Sequence, residues 1–363
     1  MKRKIVTITF NDLSISWGPA VHYLELWDSF YNLFNDQYEI IGYAPYWENN
    51  STIIPVKFKL NKIKVPNIPL VRQLYFDFIL AFRLIKHRQD IVYIRMSSYS
   101  LLTFFTLKLL KIKPILELNG ISAKDVESAR KPSWYKKIVC WNEIKFLQQA
   151  KGSIAVSEGI EIFAKETSNA KTITINNGIA NSFFLEKQHI LDFKIKIIYV
   201  GTFTPWDGAK YIPHLADQFP NIEFHMYGDG TLRKEIEANS PANIIFHGYV
   251  KYNQLKEIYS QFDAGIVIYE IERNDMKISS LKTLEYMATG LPIFTTDIPG
   301  QEFIKDNQIG MCIDIKNIKN EFEIFISKLD LFKENINHYR KVHKNDYSWD
   351  GVALKTEKFI SEI

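Results

Sequence analysis

Two cysteines in 363 residues, Cys140 and Cys312, are too few for a disulfide framework. Both sit in apolar runs, which favours buried, reduced thiols. No run approaches the roughly 18 apolar residues that a membrane-spanning helix needs. Met1 to Phe10 has a basic start and an apolar run, but that run is short and meets Asn11 and Asp12 at once. It reads as a first sheet strand rather than a signal peptide, and a cytoplasmic protein is expected. Neither a fixed-period repeat nor a low-complexity tract interrupts the chain, which argues against solenoids and disordered tails. There is no Asp-x-Asp pair in a plausible loop and no His/Cys ligand spacing, so neither a metal nor another cofactor is expected. The basic residues come with no nucleic-acid-binding motif, and nucleic acid is not expected as a partner.

What is present fits two packed domains. The chain exceeds a comfortable single core, and its 46% apolar and 24% charged content is ordinary for a globular protein. Short apolar runs alternate with helical patterns, which implies doubly wound parallel sheets. The stretch Glu186 to Asp192 separates an Asn-Gly turn at Ile175 to Ile179 from the apolar run Ile195 to Val200. The expected domains are therefore 1–188 and 189–363.

The most informative stretch is Ser279 to Pro292, SSLKTLEYMATGLP. Ser279 or Ser280 can cap a helix whose Leu281, Leu284 and Ala288 share one face, with Glu285 beside that face; Gly290 ends the helix before a short strand, Ile293 to Thr296. A helix start with free amides at the edge of an α/β sheet suits an anion, and an acid one turn further in can take sugar hydroxyls. Three glycine turns precede it: Gly201-Thr-Phe-Thr-Pro-Trp-Asp-Gly208, Gly228-Asp-Gly230 and Gly248-Tyr249-Val250, each after an apolar run. Glycine after a strand lets backbone approach a ligand closely.

In this order the turns, followed by Glu285-Tyr-Met-Ala-Thr-Gly-Leu-Pro292, resemble the C-terminal domain of the GT-B glycosyltransferases of group 1, or family 4. The resemblance covers about 120 residues well. The N-terminal half fits more loosely. Trp17 to Glu25 reads as a glycine loop entering a helix, Asp90 to Arg95 and Pro114 to Gly120 as strands, and Gly152 to Ser157 as the last strand of that domain. The resemblance implies an α/β GT-B fold of two Rossmann-like domains facing across a cleft. The first would hold the acceptor and the second the nucleotide-sugar donor, with the last helix able to pack back on the first. It implies metal-independent sugar transfer with retention of configuration, onto a saccharide or polyprenyl-linked acceptor in bacterial capsule, O-antigen or exopolysaccharide assembly. Two alternatives stay open: a nucleotide-sugar 2-epimerase of the same fold, and a non-catalytic sugar- or lipid-binding module.

The chain also departs from the family pattern. Thr202 and Asp207 stand where the family carries an Arg and a Lys on the diphosphate, and Lys277 stands where the first acid of Glu-x7-Glu belongs. The cations must come from elsewhere; Lys277, Lys282 and Arg273 are nearest the helix start, and Lys282 is favoured. The expected donor-binding residues are Gly201, Thr202, Gly228, Gly248, Tyr249, Ser279, Ser280, Leu281, Lys282 and Glu285. An inverting enzyme would need a carboxylate base, for which Glu117, Asp125 and Glu127 are candidates, Glu117 foremost because it ends a strand before a glycine turn. On the acceptor side Gly18, His22, Asn119 and Gly120 complete the set, although a lone His such as His22 is more often structural.

Charge is uneven along the chain. Residues 1–190 carry about 25 Lys and Arg against about 16 Asp and Glu, and the remainder about 20 against 25. The excess lies between Thr52 and Lys113, where Lys57, Lys59, Lys62, Lys64, Arg72, Arg83, Lys86 and Arg88 interleave with Phe58, Leu74, Tyr75, Phe76, Phe78 and Phe82. That pattern suits an anionic membrane surface and equally a solvated face over core aromatics.

Overall fold

A computed structural model describes residues 2–14, 18–47, 55–96, 100–122, 124, 126, 132–184, 194–204, 208–269 and 281–363. They form two compact units, Met1–Gly178 with Trp349–Ile363, and Ile179–Ser348. The boundary expected after residue 188 falls within 185–193, outside the described residues.

Unit one holds a seven-stranded sheet of β1 (Arg3–Thr9), β2 (Tyr38–Tyr46), β3 (Lys59–Lys64), β4 (Ile91–Arg95), β5 (Ile115–Leu118), β6 (Gly152–Ala155) and β7 (Lys171–Thr174). The order is β3-β2-β1-β4-β5-β6-β7, and every pairing is parallel. Parallel strands need crossovers, which here are α1 (Gly18–Phe34), α2 (Pro69–Leu84), α3 (Leu101–Leu109), α4 (Ser133–Gln149) and α5 (Glu158–Thr167). Right-handed crossovers put α2 to α5 on one face of the sheet and α1 on the other. The final helix, Trp349–Glu362, packs beside α1. Central strands such as β1 and β5 are buried because helices cover both faces, which is why they read as continuous apolar runs. The edge strand β3 instead turns Lys59, Lys62 and Lys64 to solvent, charges that guard an unpaired edge.

Unit two repeats the plan with six parallel strands: β8 (Lys196–Val200), β9 (Glu223–Tyr227), β10 (Ile244–Gly248), β11 (Ala264–Val267), β12 (Ile293–Thr296) and β13 (Gly310–Ile313). Their order is β10-β9-β8-β11-β12-β13. The helices are α6 (Ile212–Gln218), α7 (Arg233–Ala238), α8 (Tyr252–Tyr259), α9 (Leu281–Thr289), α10 (Glu302–Asp306), α11 (Ile318–Ser327), α12 (Leu329–Val342) and α13 (Lys344–Tyr347). Phe224, Phe294, Phe322 and Phe325 anchor one core layer, with the Phe294 and Phe322 rings 5.1 Å apart. In each sheet the strand order extends to both sides of the first strand, β1 between β2 and β4, β8 between β9 and β11. Doubly wound sheets bind ligands at the carboxyl ends of the strands at such a switch.

Side chains buried under the first helix layer fix its geometry. Asp77 on α2 is fully buried, and its carboxylate accepts from the amides of Leu102 (2.8 Å) and Thr103 (2.9 Å), so α2 caps the start of α3. Asn142 on α4 donates to the Ser100 hydroxyl at the same helix start (3.3 Å). Asp77→Ala leaves both amides unmatched in the interior. We expect a loss of about 1.5–3 kcal/mol of stability, with a smaller loss for Asp77→Asn, read as shifts in the denaturant midpoint.

Candidate functional site

At the switch point of unit one, Glu117 near the end of β5 is 2% exposed and meets four donors. Its Oε1 accepts from Arg95 at the end of β4, from Asn119 (2.7 Å) and from His22 Nε2 on α1 (3.0 Å), and Oε2 accepts from the Tyr93 hydroxyl (2.9 Å). Arg95 also donates to Asn11 just beyond β1 (3.2 Å), so three adjacent strand ends share one network. Burial opposes ionisation of Glu117, but His22, Arg95 and Asn119 outweigh it and hold the carboxyl well below the usual range. Burial and then the Arg95 charge push the His22 imidazole down, so it is neutral at pH 7.

This corrects the expectation that Glu117 serves as a base. A carboxylate saturated by four donors and depressed in pKa has no tendency to take an acceptor's proton near neutrality. Its geometry is that of a positioning residue that orients His22, whose ring also packs edge-on to Trp349 at 4.7 Å. Gly18 opens α1 one turn before His22, and Asn119 with Gly120 follows β5, partly exposed. Asp125 and Glu127 lie outside the described residues. Arg95, Tyr93 and Asn11 were not singled out from the sequence. Arg95 carried the same signal as Glu117, a charge closing an apolar strand.

In unit two the three glycine turns lie side by side on β8, β9 and β10. Gly228 has φ +132°, and a Cβ there would stand 1.7 Å from the Gly201 carbonyl oxygen. No side chain fits between these turns. Gly248, at φ +73°, accepts the Gly228 amide (2.8 Å), and Gly201 donates to Tyr227 (3.0 Å). Arg233 at the start of α7 reaches back to the Gly228 carbonyl (3.3 Å). Tyr249 beyond β10 is 69% exposed. The Thr202 carbonyl accepts from the Tyr199 hydroxyl (3.2 Å).

Helix α9 brings Lys282 to this edge. Its Nζ lies 5.6 Å from the Tyr199 ring centre, and a Cβ on Gly201 would come within 2.6 Å of it. Leu281 is half-buried at the first described turn of α9. Glu285 lies on the packed side of α9, not beside it as expected: it is 5% exposed and accepts from Tyr259 on α8 (2.7 Å). Burial raises its pKa to about 7, against the Tyr259 hydrogen bond and the Lys282 charge. A carboxyl raised from 4.5 to about 7 binds its proton more tightly when folded, so this position loses stability as pH rises through that window. Tyr286 fills the groove over Gly265, where a Cβ would stand 2.3 Å from its ring, and its hydroxyl receives the Val200 amide (3.1 Å). Tyr286 lay within the quoted Glu285 to Pro292 motif without a role of its own, and Tyr199, Tyr259 and Arg233 were not singled out. Ser279, Ser280, Asp207, Arg273 and Lys277 lie outside the described residues.

Among the described residues no group of three or more His, Cys, Asp or Glu is placed to hold a metal ion. Neither cysteine is in a disulfide, both are half-buried rather than buried, and burial pushes the Cys312 thiol up to about 12.

The unit-one network makes an acid-side prediction. Folding needs Glu117 charged and His22 neutral, so stability falls as pH drops below 6.5 through His22 and below 4.5 through Glu117. Glu117→Gln strands Arg95 in the interior, at a cost of about 3–5 kcal/mol at neutral pH. Denaturant midpoints between pH 3.5 and 7.5 should show this loss at neutrality and a flatter slope below pH 4.5; an unchanged neutral midpoint would contradict the network.

Comparison with known proteins bears on the fold and on unit two. Residues 194–329 match the family model of glycosyl transferases group 1. A search of curated proteins finds no match. Among solved structures the chain is similar to sucrose-phosphate synthase from Thermosynechococcus elongatus, with TM-score 0.75 and 15% identity over 99% of each chain. It is similar to HepE from Anabaena in complex with UDP, with TM-score 0.72 and 12% identity over 100% of each. It also resembles WaaG, a glycosyltransferase involved in lipopolysaccharide biosynthesis, with TM-score 0.70 and 15% identity over 96% of this chain and 98% of that one. The two parallel Rossmann-like sheets are of the GT-B type, and the match to the group 1 glycosyltransferase model covers the unit that carries the three glycine turns.

Proposed function

We propose that this enzyme transfers a sugar from a nucleotide-diphosphate sugar to a saccharide or lipid-linked saccharide, in the assembly of a bacterial surface polysaccharide. The observation that carries this reading is the Lys282 ammonium set against the Gly201 turn, beside the Gly228 and Gly248 turns. Backbone free of side chains admits a flat base and ribose, and a fixed cation next to it suits a diphosphate. HepE, similar in fold, was solved with UDP and with UDP-glucose, and WaaG acts in lipopolysaccharide biosynthesis, which supports the donor class and the pathway type.

In the reaction the anomeric C–O bond to the diphosphate breaks and a bond to the acceptor oxygen forms. The nucleoside diphosphate leaves with the electron pair, and the acceptor hydroxyl gives up its proton to an oxygen of the departing diphosphate. Lys282 stabilises the charge that grows on the diphosphate. Glu285, with one oxygen held by Tyr259, takes ribose or sugar hydroxyls with the other. Glu117 and Arg95 orient His22, which with Gly18, Asn119 and Gly120 faces the acceptor. The resemblance to family 4 favours retention of configuration.

A thermal-shift screen across UDP, GDP, CMP and dTDP sugars identifies the donor, and product analysis with and without a saccharide acceptor separates transfer from 2-epimerisation. Lys282→Ala is expected to lower turnover about 10²–10³-fold while free nucleoside binds nearly as before, because leaving-group charge grows toward the transition state. Equal losses for nucleoside and nucleoside diphosphate would remove Lys282 from the diphosphate. Glu285→Ala is expected to weaken donor binding by about 1.5–3 kcal/mol in a folded protein. Since burial raises Glu285 to about 7, wild-type donor affinity should improve as pH rises through neutrality, and Glu285→Gln should abolish that dependence.

A further inference from the structure

Helix α2 carries two apolar stripes. The inner one, Phe76, Leu80 and Leu84, is fully buried; Phe76 packs edge-on to Phe10 at 5.2 Å. The outer one, Val71, Leu74, Tyr75, Phe78 and Phe82, continued by Ile85 just past the helix, recurs at helical spacing and is exposed, Phe78 at 50% and Phe82 at 61%. A solvated helix normally keeps its outer face polar. The neighbouring helices do the same. On α3, Leu102, Phe105 and Leu109 face outward, Leu109 at 82% exposed, and on α4, Trp134 and Trp141 do so, with the Trp141 ring 6.1 Å from that of Phe105. Asp77 and Asn142 lock α2 and α4 to the start of α3, so the three outer faces form one apolar surface.

Its charge says what covers it. Arg83, Lys86, Arg88, Lys108, Lys111 and Lys137 are exposed at the ends of these helices. Between Lys57 and Lys113 the only acids are Asp77, spent on α3, and Asp90, bonded to His87 at 2.7 Å. A second copy of this chain would set like charges against each other across a symmetric contact, whereas an anionic bilayer meets the cations and takes the aromatic and leucine side chains between its headgroups.

We propose that the outer face of α2, α3 and α4 docks this enzyme on an anionic lipid bilayer, with Phe78, Phe82, Leu109 and Trp134 entering the interface. This deepens the lipid-linked acceptor reading, yet it stands on its own observations. It also moves the contact away from Lys57, Lys59, Lys62 and Lys64. The Lys57 ammonium donates to Asn32 while its backbone amide donates to Asp28, and the other three guard the edge of β3.

The test is sedimentation of the full chain with vesicles of phosphatidylcholine alone or with 30 mol% phosphatidylglycerol, across salt concentrations, with the latter fraction being about one anionic lipid in three. Wild type should bind the anionic vesicles in a salt-sensitive way. Phe78→Ser with Phe82→Ser and Leu109→Ser should weaken binding by roughly tenfold or more at all salt concentrations. Arg83→Ser with Lys86→Ser and Arg88→Ser should weaken it by about fivefold per charge at low salt and reduce the salt sensitivity. Both sets should keep wild-type thermal stability and nucleotide-sugar hydrolysis in solution, so a failed donor reading shows as absent hydrolysis with vesicle binding intact. Absence of wild-type binding at low salt would overturn the proposal. So would equal loss from Lys59→Ser, Lys62→Ser and Lys64→Ser, or a dimer that the apolar substitutions dissociate while vesicles go unbound.

Discussion

The approach of Gly228 to the Gly201 carbonyl is the constraint on which unit two depends. At a separation that leaves no room for a Cβ, the turns after β8 and β9 present bare backbone, and the ammonium of Lys282 comes to rest against it. A side chain at either position would part the two strand ends and displace the cation. Tyr286 serves the same edge from below: it fills the space over Gly265 and bonds the Val200 amide, which ties α9 to the end of β8. Lys282 and Glu285 lie three residues apart on that helix, so the same tie fixes them both.

Unit one solves a different problem with the same sheet plan. It places ionised groups at the switch point, where burial alone would neutralise them. The solution is mutual: Glu117 is kept charged by Arg95, His22 and Asn119, and Arg95 in turn is shared between Glu117 and Asn11. A buried charge network of this kind contributes little net stability, but it fixes ring and carboxylate orientation closely. The tilt of His22 is thus set by contacts from α1, β4, β5 and the final helix together.

What the sequence revealed follows the range of each signal. The glycine turns, the Leu281–Thr289 helix and the doubly wound plan were legible because a turn or an apolar period is encoded within a few residues. Glu117 was found as a charge at a strand end, yet its role was misjudged, since the four donors that saturate it come from segments up to 95 positions away. Glu285 was placed beside the packed face because helical spacing cannot show that Tyr259 closes over it. On α2 the aromatics read as one interleaved set, whereas packing splits them, Phe76 into the core and Phe78 and Phe82 outward. That the lysines of β3 lie on an unpaired edge is a property of sheet order, which no local pattern states.

The central claim is that the glycine turns of β8, β9 and β10 with α9 form the nucleotide-sugar site. Amide hydrogen exchange with and without the donor found in the screen tests it most directly. The account predicts slower exchange at the Gly201, Gly228 and Gly248 turns and in the first turns of α9. Protection confined to unit one, with these segments unchanged at saturating donor, would contradict it.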